Sequence, residues 1–284
     1  MQELSLLTSD QFPLAVKIFT PQNSTGQLLL INSATGVKQQ VYFSFAKFFA
    51  EHGFTVITYD YRGIGESKPA DMKNFTATMR LWGTEDFAML TNYIKTNYAD
   101  YRKFCLGHSV GALIIGMNPE SVMFEKFIFI ATQDAYFGNL KFAVAVTALL
   151  GFGVALPVTT RLLGYFPAHT FGLGESLPAG VAYDWQTLIL NKKSTTRLYE
   201  KTDNEVSKIL TQETYFIHAE DDAWVTQNGM ENLQKNVYPN LNYTYREIKV
   251  SESEKGEIGH INFFRSFNKK LWNIVLEEVQ PNKP

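Results

Sequence analysis

The chain has 284 residues, 45% of them hydrophobic and 19% charged, with a formal net charge of −2. That composition fits a globular protein of one or two domains, and without a basic stripe or an acidic tail nucleic acid is not an expected partner. Cys105 is the single cysteine, which excludes an internal disulfide and a cysteine metal cluster and fits a reducing, cytoplasmic setting.

The N-terminal residues MQELSLLTSDQFPL lack a basic region followed by a long apolar run, so a signal peptide is not expected there. Leu14–Thr20 is predicted to be a strand, ended by the turn-rich PQNSTG. Leu28–Asn32 is a short apolar run of the kind buried on both faces of a sheet. Val41–Glu51 has helical spacing, and Gly53 follows it as a plausible C-terminal cap. Strands are predicted at Phe54–Tyr59, Lys103–Leu106 and Phe127–Ala131, with helices at Glu85–Tyr98 and Ser109–Met117. This β-α-β-α-β order implies a parallel sheet with helices on both faces.

The pattern breaks after residue 131 and returns about 80 residues later. Tyr215–His218 and Tyr243–Ile248 are predicted strands, and Thr226–Asn236 and Asn262–Val279 predicted helices. The middle, 134–208, is read as a helical cap inserted into a core made of 1–133 and 209–284. Within the cap, Phe142–Val158 carries no charge over 17 residues. That is short for a membrane span. It contains Gly151, Gly153 and Pro157, so it is assigned to a buried or substrate-facing lid helix, and membrane contact is not expected.

Gly107-His108-Ser109-Val110-Gly111 fits G-x-S-x-G. A nucleophilic serine must project from a sharp strand-to-helix turn, and side chains two residues either side would clash there. The following helix directs its N-terminus at the site, so the Val110 N–H is a candidate oxyanion donor. The motif arises by chance in roughly one chain in ten of this length. Its context, a buried-strand run before and a helix-compatible run after, makes Ser109 the candidate nucleophile.

A serine needs a base, and the base needs an acid to orient it. His218 and His260 follow Ser109 near the ends of returning strands, while His169 falls inside the cap. His260 sits in a Gly-flanked loop and is the candidate base; His218 is read as strand-end structure. The loop after Tyr215–His218 offers Glu220, Asp221 and Asp222 as the acid. Spacing alone leaves these three open.

These residues resemble the α/β-hydrolase superfamily over nearly the whole chain except the cap. Asp60-Tyr61-Arg62-Gly63-Ile64-Gly65-Glu66-Ser67 resembles its D-x-R-G-x-G-x-S loop, and Gly107–Gly111 its nucleophile elbow. Ala219–Val225 resembles the G-x-x-D-x-x-V acid loop with alanine in place of glycine, and Gly259-His260 the catalytic G-H. The resemblance implies a mostly parallel sheet of about eight strands under a helical cap. It implies Asp222 as the acid, with Asp221 the runner-up, and no metal or organic cofactor. Asp60 and Arg62 correspond to fold-stabilising positions, and His108 to a residue packed behind the turn.

One departure stands out. The strand Leu28–Asn32 leads to Ser33-Ala34-Thr35-Gly36, where the family carries His-Gly. The resemblance implies a second oxyanion donor at the Thr35 N–H, with Ala34 the alternative. The similarity of A-T-G-V, Y-D-Y-R-G-I-G, Leu177–Trp185 and I-G-H-x-x-F-F-R is to a bacterial branch of predicted hydrolases. The expected activity is cleavage of an ester, thioester or amide through an acyl-enzyme. Acyl transfer and a non-catalytic binding role are the alternatives. Phe137, Phe142, Phe152, Tyr165, Phe166, Phe171 and Trp185 in the cap suggest an apolar or mixed acyl group.

Overall fold

The computed structural model describes residues 1–280 apart from 74, 203 and 204. Positions 203–204 of the cap range and 281–284 of the core range therefore lie outside the described residues. The strands are β1 (Gln2–Leu7), β2 (Pro13–Phe19), β3 (Gln27–Asn32), β4 (Phe54–Tyr59), β5 (Arg102–His108) and β6 (Lys126–Ile130). They continue with β7 (Tyr165–Phe166), β8 (Leu177–Pro178), β9 (Glu213–Ala219) and β10 (Asn242–Ile248). Eight of them form one sheet in the order β1-β2-β4-β3-β5-β6-β9-β10, while β7 and β8 pair with each other. β2 runs antiparallel to both of its neighbours, β1 and β4, and the remaining pairs run parallel.

The predicted strands fall where the apolar runs are continuous. Leu28–Ile31 and Phe54–Ile57 are fully or almost fully buried, because helices cover both faces of a parallel sheet. The helix Phe43–Glu51 turns its Phe45, Phe48 and Phe49 onto the sheet and ends at Gly53, whose φ of 92° suits glycine.

Two elements differ from the sequence reading. The antiparallel edge strand β1 lies in the N-terminal stretch, where the sequence predicts no element. Its alternation is weak: Leu4 and Leu6 pack on the core while Leu7 is exposed. The helix predicted over 262–279 is broken into 3-10 turns at Asn262–Phe264 and Ser266–Leu271 and a helix at Trp272–Val279. The chain is extended at Arg265 (φ −78°, ψ 145°), and Asn268, whose amide donates to the Glu257 and Asn262 carbonyls, departs from the helix at φ/ψ −102°/18°.

Between β6 and β9 the chain leaves the sheet. A 22-residue helix, Phe142–Leu163, packs against the helix Ala179–Leu190, with Phe152 edge-on to Trp185 at 4.9 Å and Gln186 donating to the Phe152 carbonyl. The reading of Phe142–Val158 as buried or substrate-facing does not hold. Only 17% of the helix's apolar 18-residue window is buried, because one face suffices to pack it on its neighbour.

Arg62 and Asp60 brace the core, as read. The Arg62 guanidinium lies 2.6 Å from both Asp86 and Asp10, and Asp86 is fully buried. Asp60 accepts from the Gln39 and Glu66 amides, and a side chain at Gly65 would collide with its carboxylate. Arg62→Met leaves Asp86 buried without its cation. It should lower stability by about 3–5 kcal/mol, measured by urea unfolding; a loss within experimental error would contradict this role.

Candidate active site

Ser109 sits between β5 and the helix Val110–Ile115 with φ 54° and ψ −118°, a conformation that costs energy for any residue with a Cβ. Neighbouring bonds hold it there. Its N–H donates to the Ile130 carbonyl at 2.9 Å, and its carbonyl accepts from the Thr132 hydroxyl at 2.9 Å. A Cβ on Gly107 would come within 2.4 Å of the Ala112 Cα, and one on Gly111 within 2.3 Å of the Asn32 carbonyl oxygen. Both glycines are thus required by close approach. The helix expected over 109–117 starts one residue later, since Ser109 itself is the turn.

The acid loop follows β9. Asp222 is buried, with one carboxylate oxygen 2.8 Å from His260 Nδ1 and the other accepting from the Trp224 amide at 2.8 Å. Burial pushes its carboxyl up, but the hydrogen bond from His260 and the nearby charge outweigh this and hold it below its ordinary value. Asp221 has a different partner set. Its two oxygens accept from the backbone amides of Ile258 and Gly259 at 2.9 and 2.8 Å, so it clamps the loop that carries His260. The geometry separates these two of the three acids that spacing leaves open. Glu220 faces outward and accepts from the Val250 amide. His218 lies 3.7 Å from Glu247 at the strand end.

Ser109, Val110, Thr35 and His260 all line one cavity of about 480 Å³, a usual size for a small-molecule site. The Ala34 N–H is taken by the Tyr42 hydroxyl at 2.9 Å. The amides of Thr35 and Val110 have no hydrogen-bond acceptor among the described residues. Between Ala34 and Thr35, the free donor is on Thr35.

The segment between β6 and β9 supplies one wall of the cavity. Glu175 donates its N–H to the Gly36 carbonyl at 2.8 Å, and its carboxylate lies 3.6 and 3.2 Å from Lys38 and Lys68. Leu173, Trp185, Leu188 and Ile189 supply apolar walls. Of the seven cap aromatics singled out in the sequence, Trp185 alone lines the cavity. Phe142 is 84% exposed, and Phe166 and Phe171 stack on each other.

Sequence reasoning missed Tyr42. Its hydroxyl accepts from Ala34 and donates to His108 Nδ1 at 2.8 Å, while His108 Nε2–H donates to the His260 carbonyl at 2.8 Å. A tyrosine at the start of an amphipathic helix carries no signal of such a contact. These bonds fix one neutral His108 tautomer. Burial pushes its pKa down from 6.5 to about 3. In the unfolded chain His108 takes a proton near its ordinary value; in the folded protein it resists until about pH 3. Stability from this residue is therefore complete above about pH 6.5 and falls as pH drops toward 3, by at most about 1.4 kcal/mol per pH unit. His108→Gln keeps a donor and an acceptor but no titration. Its thermal midpoint should fall less steeply between pH 6.5 and 4 than that of the wild type; equal slopes would contradict this assignment.

The comparisons agree with this architecture. Residues 25–122 match the family described as serine aminopeptidase, S33. No curated protein matches the chain. Among solved structures, a thermostable carboxyl esterase from Bacillus coagulans superposes with a TM-score of 0.65 at 14% identity, covering 98% of this chain and 97% of that one. An esterase from Exiguobacterium antarcticum gives 0.61 at 15% identity, with coverages of 99% and 100%. An α/β serine hydrolase without lid from Xanthomonas campestris gives 0.54 at 12%, with coverages of 100% and 96%. At these identities the likeness is one of fold: the chain has the α/β-hydrolase fold, and the matched family segment runs from β3 past the elbow.

Proposed function

We propose that the protein is a serine hydrolase that cleaves a carboxylic ester, and by the same chemistry a thioester or amide, through an acyl-enzyme. The observation that carries this is the pairing of a strained, glycine-flanked Ser109 with an Asp222-anchored His260 on one cavity. His260 removes the Ser109 hydroxyl proton as the oxygen attacks the carbonyl carbon. Asp222 fixes the imidazole tautomer and stabilises the imidazolium. The N–H groups of Thr35 and Val110 hold the oxyanion. His260 then gives the proton to the leaving group. Water, deprotonated by His260, attacks the acyl carbon and frees Ser109. The insertion at 134–208 acts as the cap.

The lining favours an ester over a peptide N-terminus. An aminopeptidase needs a carboxylate to receive the substrate's ammonium. Glu175 is the one carboxylate among the lining residues, and Lys38 and Lys68 already neutralise it. The walls contributed by Val37, Leu113, Trp185 and Leu188 suit an apolar acyl chain.

Turnover of p-nitrophenyl butyrate should exceed that of an aminoacyl p-nitroanilide. Asp222→Asn should cut kcat by about 10⁴-fold, by leaving the wrong tautomer, and Asp221→Asn should cost far less. Butyrate turnover by Ser109→Ala equal to that of the wild type would overturn the proposal.

A further inference from the structure

The cap carries an apolar surface that faces away from the cavity. Helix Phe142–Leu163 is long and apolar enough to cross a membrane by length and composition, yet none of its residues lines the cavity. Its inward residues, Phe152 and Leu156 among them, pack on the cap. Outward it shows Phe142 (84% exposed), Leu150 (64%), Val154 (59%) and Leu162 (76%). Exposed positions recur at about every fourth residue, and the wider π turn at Gly151–Ala155 offsets part of the winding that such spacing produces on an α-helix. A contiguous exposed apolar face of this kind marks a docking surface.

Charge selects the occupant. No aspartate or glutamate occurs between Asp134 and Glu175, although the chain as a whole is slightly acidic. The charged residues of that stretch are Lys141 and Arg161, one at each end of the helix and both exposed. Lys141 reaches the Asp222 carbonyl, and Arg161 has no partner among the described residues. Apolar side chains between terminal cations are suited to a surface of acyl chains under anionic headgroups. A second copy fits poorly. In a two-fold interface the patch meets itself, so antiparallel helices would bring Lys141 toward Arg161 with no acid on the helix to separate them.

We propose that the outer face of helix Phe142–Leu163 lies in the interface of an anionic membrane, with the protein peripheral. This replaces the expectation that the segment avoids lipid. The helix Ala179–Leu190 separates it from the cavity and supplies the walls Trp185, Leu188 and Ile189, so docking would hold the cavity beside the lipid surface. The inference does not depend on the Ser109 chemistry.

Sedimentation with sonicated vesicles tests it on the full chain. The protein should pellet with vesicles of equal phosphatidylglycerol and phosphatidylcholine, and much less with phosphatidylcholine alone. Leu150→Ser with Leu162→Ser should weaken binding about a hundredfold or more, and Arg161→Gln about fivefold. All these positions are exposed, so thermal unfolding should be unchanged. Ser109→Ala should bind as the wild type does, which separates this test from that of the hydrolase reading. No pelleting with the anionic vesicles, or equal pelleting of the leucine variant, would overturn the proposal. So would a dimer, seen by sedimentation velocity, that the leucine variant dissociates while vesicle binding is absent.

Discussion

His108 is buried with both ring nitrogens engaged, and three loops meet on it. Through Tyr42 it holds the Ala34 amide of the loop after β3; through its own backbone it belongs to the elbow; through Nε2 it holds the His260 carbonyl. Each bond joins segments far apart in sequence. A buried polar network of this type stabilises a structure only when every member is satisfied, and here each is. Ser109 can occupy its strained conformation because the strand end, the following helix and these loops leave it no other place.

The two neighbouring aspartates divide the work. Asp222 faces the imidazole and keeps its carboxylate charged, while Asp221 binds two backbone amides and shapes the loop that presents the imidazole. The cap adds shape more than charge. Its one carboxylate at the cavity is spent on two lysines, and its backbone reaches Gly36 to hold the loop after β3. Gly174 makes that approach possible, since a Cβ there would lie 2.5 Å from the Gly36 carbonyl oxygen.

What could be read from the sequence was what short-range chemistry encodes. Gly107 and Gly111 signal a close approach, a run such as Leu28–Ile31 signals a strand buried on both faces, and a histidine between glycine and a hydrophobic run signals a loop at the sheet edge. The choice of Asp222 over Asp221 needed either motif register or the observed hydrogen bonds. Tyr42 was hidden because its role depends on which partners the fold brings near; Thr35 could be named from family register, and the bond from Ala34 to Tyr42 is what sets it apart from Ala34. Phe142–Val158 misled because apolar composition reports a preference for leaving water and says nothing of what replaces it. In this fold one face meets the cap and the other meets no protein.

The central claim is that the fold makes Ser109 a nucleophile through His260. The most direct measurement is covalent labelling with a fluorophosphonate, read by intact mass and peptide mapping. The account predicts one label per chain on Ser109, lost in Ser109→Ala and in His260→Ala. A folded protein that takes no label, or that labels Ser109 equally well without His260, would contradict it.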